Sequence, residues 1–247
     1  MYYLLLLSDL GREAVQHSGS HRFADHIYVG APSGRGALGR WIDARLLAMP
    51  AAQAFRRRCG EAQRAMRRVL ESGPAGGTVR ILAVPCGIPR DLLELARTLR
   101  TEPVLLHRLD YHGMDVDPDV LAEARAATRD CGIESVRFHC GNALSSAEYP
   151  QGPFNLVVST GLGEFLTDDE LVTFYRRVYE VLEPGGTFFT SATSLDASSD
   201  ALLRMVELVT HYRSPDDLWA QLRRVPWRRV RLTRDRTGLQ TFVTAIK

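Results

Sequence analysis

Apolar residues fall along this chain in two rhythms. Up to about residue 71 they recur every three or four positions, the spacing of one helix face. From Thr78 onward, short continuous apolar runs alternate with amphipathic stretches. The first region predicts helix over 1–17 and again over 38–71. There Trp41, Ile42, Leu46 and Leu47 precede Pro50, a residue suited to the first turn of a helix. Between these stretches, residues 18–39 hold Gly19, Gly30, Gly34, Gly36, Gly39 and Pro32, a composition that predicts loop. SGPAGG at 72–77 predicts a turn and a boundary between a helical N-terminal cap (1–75) and a second domain (76–247).

The second domain reads as strand, helix, strand. VRILAV (79–84), YHGMDV (111–116), SVRFHC (135–140), FNLVVST (154–160) and TFFTSAT (187–193) are the predicted strands. RDLLELARTLR (90–100), PDVLAEARAATRD (118–130) and TDDELVTFYRRVYEVL (167–182) are the helices between them, the last with Thr167 as N-cap and Glu170 completing a capping box. EPGG (183–186) predicts its end. Alternation at this spacing implies a doubly wound α/β fold, a mostly parallel sheet with helices on both faces. WRRVRLT (227–233) and LQTFVTA (239–245), joined through DRTG, add an antiparallel hairpin at the end.

Composition narrows the class. A chain of 247 residues suits one sizeable α/β domain with an appendage. With 45% hydrophobic and 24% charged residues, disorder and disulfide scaffolds are poor readings. The apolar run Tyr2 to Leu7 is far short of the ~20 residues a bilayer crossing needs, and no secretory leader is read there. Cys59, Cys86, Cys131 and Cys140 form no CxxC pair, so free thiols in a cytoplasmic protein are expected. No metal site is predicted. Net charge is only +2, yet 30 of the 31 basic residues are Arg, and they crowd 56–68 and 223–236. These clusters read as solvated faces, because no RNA-binding motif accompanies them and only Trp219 and Trp227 could stack on bases.

In doubly wound sheets, ligands sit beyond the carboxyl ends of the strands. Four such ends are legible: AVPCGIPRD (83–91), GMDVDP (113–118), HCGNAL (139–144) and STGLGEF (159–165). Asp115, ending the second strand, suits a ribose, since one carboxylate can accept from both hydroxyls of a diol. Pro85 and Pro89 in the first loop have no N–H, so that loop is a weak cradle for a pyrophosphate. A nucleoside without phosphates is the better guest.

The runs ILAVPCGIPRDLLELA, GMDVDPDVLAEAR, VRFHCGNAL, FNLVVSTGLGEFL and VLEPGGTFFT resemble the class I S-adenosylmethionine-dependent methyltransferases. By motif the resemblance covers about residues 76–193. It implies a seven-stranded sheet ending in the same hairpin, S-adenosyl-L-methionine as cofactor, and methyl transfer as activity. It places the cofactor on Pro85, Cys86, Gly87 and Arg90, on Asp115 and Val116, on Asn142 and Ala143, and on Ser159, Thr160 and Gly161. Tyr28 would reach in from the cap, with His21 and His26 behind it. The sequence departs from the family's pattern at Ala83, where an acid is usual, at Pro85 and Pro89, and at Asn142 and Asn155, where Asp is common.

A sulfonium is already activated, so methyl transfer asks a protein mainly for proximity and orientation. A general base matters only for a weakly acidic acceptor; Glu164 and His211, the latter read onto the helix before the hairpin, are the candidates. The expected partner is a small-molecule methyl acceptor, methylated on oxygen or nitrogen. A homodimer is also envisaged, with neither nucleic acid nor membrane as partner. Methylation of RNA, or a non-catalytic protein that kept the fold, are the alternatives.

Overall fold

The computed structural model describes residues 2–17, 20–73, 76–196, 200, 204 and 210–247. Seven strands form one sheet in the order β3-β2-β1-β4-β5-β7-β6. They are β1 (Val79–Ala83), β2 (Leu109–Asp115), β3 (Ser135–Cys140), β4 (Phe154–Ser159), β5 (Leu182–Thr193), β6 (Arg229–Arg234) and β7 (Gln240–Ile246). The first five run parallel, and β7 lies antiparallel to both β5 and β6. The doubly wound α/β sheet closed by a hairpin is therefore the fold. β5 starts five residues earlier than predicted, because EPGG continues along β4 past an irregularity between Phe154 and Leu156 instead of leaving the sheet.

Strand β1 shows how the sheet sorts its side chains. Val79, Ile81 and Ala83 enter one apolar cluster while Leu82 enters the other, as the two-residue period requires. The first cluster is covered by α5 (Pro50–Ser72), α6 (Arg90–Thr98) and α8 (Pro118–Thr128), the second by α9 (Asp168–Val181) and α10 (Pro215–Leu222). Each Leu or Phe buried there contributes roughly 1.5–3 kcal/mol. The capping box at Thr167 and Glu170 is formed. A short helix, α7 (Pro103–His107), precedes β2.

The N-terminal region holds α1 (Tyr2–Leu5), α2 (Asp9–Gln16), α3 (His21–Val29) and α4 (Gly36–Leu47). Residues 18–39, expected to be loop, thus contain α3. Ser20 caps it by accepting from the Phe23 N–H, Phe23 and Ile27 share one face, and Gly30 closes it with φ +66°. The glycines mark the ends of that helix and not its absence. The cap is organised around Asp43, which is fully buried. Its carboxylate accepts from Ser8 Oγ (2.6 Å), Leu10 N (2.8 Å), His26 Nε2 (2.9 Å) and Ser33 N (3.1 Å). Burial pushes the Asp43 carboxyl up, but these donors outweigh it and hold it below its ordinary range. α5 serves both regions: Ala52 packs in the cap, and Ala62, Met66 and Leu70 pack against the sheet.

Candidate functional site

The carboxyl ends of β1, β2 and β4 open into a cleft of about 590 Å³, roofed by α3 and walled by α5. Asp115 stands at the end of β2 with one oxygen accepting from Gly87 N (3.0 Å) and the other from Asp117 N (3.2 Å). It thereby pins the loop after β1 to the second strand. A carboxylate offers about four lone-pair sites, so both oxygens keep capacity for a ligand. Gly113 in β2 makes this close approach feasible: a Cβ there would lie 2.6 Å from the Phe138 ring and 3.0 Å from Cys86 Sγ.

Of the residues read from the sequence, Tyr28, Pro85, Cys86, Gly87, Arg90, Asp115, Val116, Thr160 and Gly161 line the cleft. Three predicted residues lie outside its lining. The Asn142 side chain is turned into its own loop, accepting from Leu144 N (2.9 Å). Ala143 packs against the second core cluster, and Ser159 is buried in the sheet. Arg90 is committed elsewhere: its Nε and Nη2 donate to the two oxygens of Asp25 on α3, so it holds the roof to the floor. His21 lines the cleft and pairs with Glu123 at 3.2 Å, whereas His26 is part of the Asp43 hub.

Asp91 is the unexpected member. It lines the cleft beside Ala83, and its Oδ1 accepts from Leu92 N at 2.8 Å. Among the described residues no cation forms an ion pair with it, since Arg90 is turned to Asp25. Burial raises its carboxyl to about 6, only partly offset by the backbone donors. Burial also pushes the Cys59 and Cys86 thiols up, so neither is a thiolate at neutral pH.

Beyond the cleft lies a second pocket of about 140 Å³, apolar, between the cap and the ends of β4 and β5. Arg58, Gly161 and Phe165 border both spaces. Glu164 lines the apolar pocket, not the cleft. Its Oε1 accepts from Thr193 Oγ1 (2.7 Å) and lies 3.6 Å from Arg58 Nη1. Arg58 Nε donates to the Tyr28 hydroxyl at 3.0 Å, and its guanidinium stands over the Phe55 ring at 3.5 Å. Gly161 has φ +100°, and a Cβ there would lie 2.7 Å from Arg58 Nη2. His211 is not on a helix: it is exposed in the loop before α10, lines neither space, and donates its backbone N–H to the Glu164 carbonyl (2.8 Å). Sequence reading missed Arg58 by grouping it with surface arginines. The signal was its place in Ala54, Arg58, Ala62, Met66, every fourth residue on the buried face of α5.

A doubly wound sheet with this strand order, with an acid at the end of β2 and a cleft over the strand ends, is the fold of the class I S-adenosylmethionine-dependent methyltransferases. Residues 81–186 match the family model described as a methyltransferase domain. The sequence matches none of the curated proteins. Among solved structures, it resembles a protein of Bordetella parapertussis described as a possible exported protein (TM-score 0.78, 23% identity, 99% of this chain and 85% of that one). It also resembles the S-adenosylmethionine-dependent methyltransferase SibL (TM-score 0.57, 18% identity, 97% and 73%). A third is the magnesium protoporphyrin IX methyltransferase of Synechocystis with bound SAH (TM-score 0.61, 12% identity, 96% and 97%). No described helix is long and apolar enough to cross a membrane.

Two departures from the family pattern have structural accounts. Asn155 accepts from Arg80 N (2.7 Å) and donates to Glu183 Oε1 (2.5 Å), a double role that an ionised Asp could not fill. At Ala83 the acid is absent from the strand end, but Asp91 lines the same cleft.

Proposed function

We propose that the protein transfers a methyl group from S-adenosylmethionine to a small organic acceptor. The observation that carries this reading is the pairing of two carboxylates in one cleft. Asp115 has spare acceptor capacity at the end of β2, and Asp91 has no counter-ion among the described residues. A ribose diol suits the first and an ammonium the second. The cleft volume falls within the usual range for a cofactor-sized ligand, about 300–1,000 Å³.

When bound, the ligand supplies an activated methyl on a sulfonium. The chain's residues then have three tasks. Asp115 and Asp91 hold the two polar ends, Arg90 and Asp25 keep the roof over the cleft, and the apolar pocket confines the acceptor. Confinement of this kind contributes up to ~7–11 kcal/mol. Glu164 is the base we assign to an oxygen or nitrogen acceptor that must lose a proton. A small acceptor is favoured over RNA because none of the seven arginines of 223–236 lines either space. Those on β6 are exposed along the outer edge of the sheet, where charge hinders pairing with another strand. The four cysteines are free thiols, which supports a reducing, cytoplasmic setting.

The test is thermal and calorimetric titration with S-adenosylmethionine, S-adenosylhomocysteine and NAD. At 100 times its dissociation constant a ligand stabilises the fold by about 2.7 kcal/mol. The two sulfur ligands should shift the transition and NAD should not. Asp115→Ala should remove the shift. No shift with either sulfur ligand would overturn the reading, and an unchanged shift in Asp115→Ala would refute the ribose assignment.

A further inference from the structure

Two charged side chains stand in the wall of the apolar pocket. Arg58 is 4% exposed and Glu164 5% exposed, yet both line it. Their contact is a loose one, 3.6 Å from Nη1 to Oε1, too long for a hydrogen bond. Arg58 Nη1 and Glu164 Oε2 have no hydrogen-bond partner among the described residues. One is a donor only. The other oxygen's role follows from its neighbours. Gln240 Nε2 donates to Thr193 Oγ1 (2.8 Å), and Thr193 spends its single hydrogen on Glu164 Oε1. Glu164 therefore meets the protein as an acceptor, and its free Oε2 calls for a donor.

Buried polar atoms left unmade are costly, and these two, on adjoining residues of one pocket wall, call for a ligand that answers both. The rest of the lining is mostly apolar, Leu10, Phe23, Ile27, Leu46 and Phe55 among it, with Thr193, Ser194, Asp196, Thr210 and Tyr212 adding polar groups on one side. A cavity near 150 Å³ lined this way accommodates a benzene-sized ring.

We propose that this pocket takes a methyl acceptor built as one aromatic ring bearing an ionisable hydroxyl, a phenol, held head-inward by Arg58 and Glu164. The hydroxyl hydrogen is donated to Glu164 Oε2 while the oxygen accepts from Arg58 Nη1. A benzoate would set its charge against Glu164, and plain benzene would leave both buried groups unmatched. The Arg58 charge beside the oxygen favours the phenolate as the proton leaves. Because Arg58, Gly161 and Phe165 also border the cleft, the oxygen is held at the junction of the two spaces. This acceptor class rests on the methyl-transfer reading above. In that reaction the phenolic proton passes to Glu164, the oxygen–carbon bond forms, and the sulfur–carbon bond breaks with its electron pair left on sulfur.

The first test is calorimetric titration of the full chain, saturated with S-adenosylhomocysteine, with phenol, benzene and benzoate. Phenol should bind at least ~10-fold more tightly than the other two. Benzene binding as tightly as phenol overturns the proposal, because the polar pair is then not engaged. Benzoate binding more tightly than phenol also overturns it, since the site would then be a carboxylate site on Arg58. Phenol and S-adenosylhomocysteine are also titrated separately. Absent phenol binding with the sulfur ligand still bound overturns the phenol assignment alone. Phenol binding without sulfur-ligand binding upholds the pocket and overturns the methyl-transfer reading. Glu164→Gln keeps an acceptor for Thr193, so it should retain phenol. Its anisole formation should be lost at neutral pH and return as the solvent pH nears ~10, where phenols ionise unaided. A flat loss at every pH would refute the base role. Should that variant fail to fold, the ligand series on the unaltered chain decides.

Discussion

Asp91→Asn should make the protein more stable and bind its cofactor less well. The carboxyl of Asp91 is raised to about 6 from 3.8, chiefly by burial. A raised carboxyl means that the folded chain holds its proton more readily than the unfolded one. The penalty of the anion therefore grows as pH rises from ~3.8 to ~6 and stays constant above. At neutral pH it amounts to roughly 3 kcal/mol. Asn keeps an oxygen for the Leu92 N–H and carries no charge. Urea unfolding of the parent and the variant should then agree at pH 4, and the variant should gain up to roughly 3 kcal/mol at pH 7.5. Calorimetry with S-adenosylhomocysteine should show the opposite sign. Loss of a charged hydrogen bond worth about 1.5–3 kcal/mol weakens binding about 10- to 100-fold. Equal stability at both pH values would refute the claim of an uncompensated carboxylate. Undiminished ligand binding would refute its assignment to the ammonium.

Asp43→Ala should strip four donors of their acceptor and cost about 3–5 kcal/mol, read as a lower urea midpoint together with faster proteolysis in residues 3–47. Gly161→Ala sets a side chain at φ +100° and 2.7 Å from Arg58 Nη2. It should cost about 1–3 kcal/mol and weaken acceptor binding more than cofactor binding, measured by titrating each. At the far edge of the sheet, burial is the first cause that lowers the pKa of both His112 and His139, with neighbouring arginines adding to it. Burial thus disfavours the protonated ring of each in the fold. Their contribution is present above ~6.5, the ordinary His value, and fades as pH falls below it. Replacing His139 by Gln should flatten the acid side of the stability profile below pH 6.5.

The strand ends were legible because parallel strands buried on both faces must be apolar throughout, and only the residues after them are free to be polar. Asp115 stands out for that reason. Helix α3 did not stand out, since its Ser20 cap and Gly30 terminus resemble loop punctuation until Phe23 and Ile27 are seen to share a face. The roles of Arg90 and Asp91 depend on Asp25, 65 residues away from Arg90, and no local spacing reports such a partner. Arg58 was legible in principle, being one turn from Ala54 and Ala62 on the buried side of α5, but its neighbours Arg56 and Arg57 made it read as surface. Glu164 was read from its place after β4. Its engagement by Thr193 and Arg58 comes from β5 and α5, which only the fold brings together.

The cap meets the sheet domain partly through ion pairs: Arg90 with Asp25, Arg22 and His21 with Glu123, Arg57 with Asp235. Apart from His21, every cation in this seam is an arginine, whose charge persists at any pH a cell meets and whose fork can grip both oxygens of a carboxylate. Such a seam behaves as a latch sensitive to dissolved salt while the apolar sheet core is not. Raising ionic strength should therefore speed ligand arrival and departure well before it lowers the unfolding midpoint. Arginine side chains thus tie the roof of the cleft to the sheet domain.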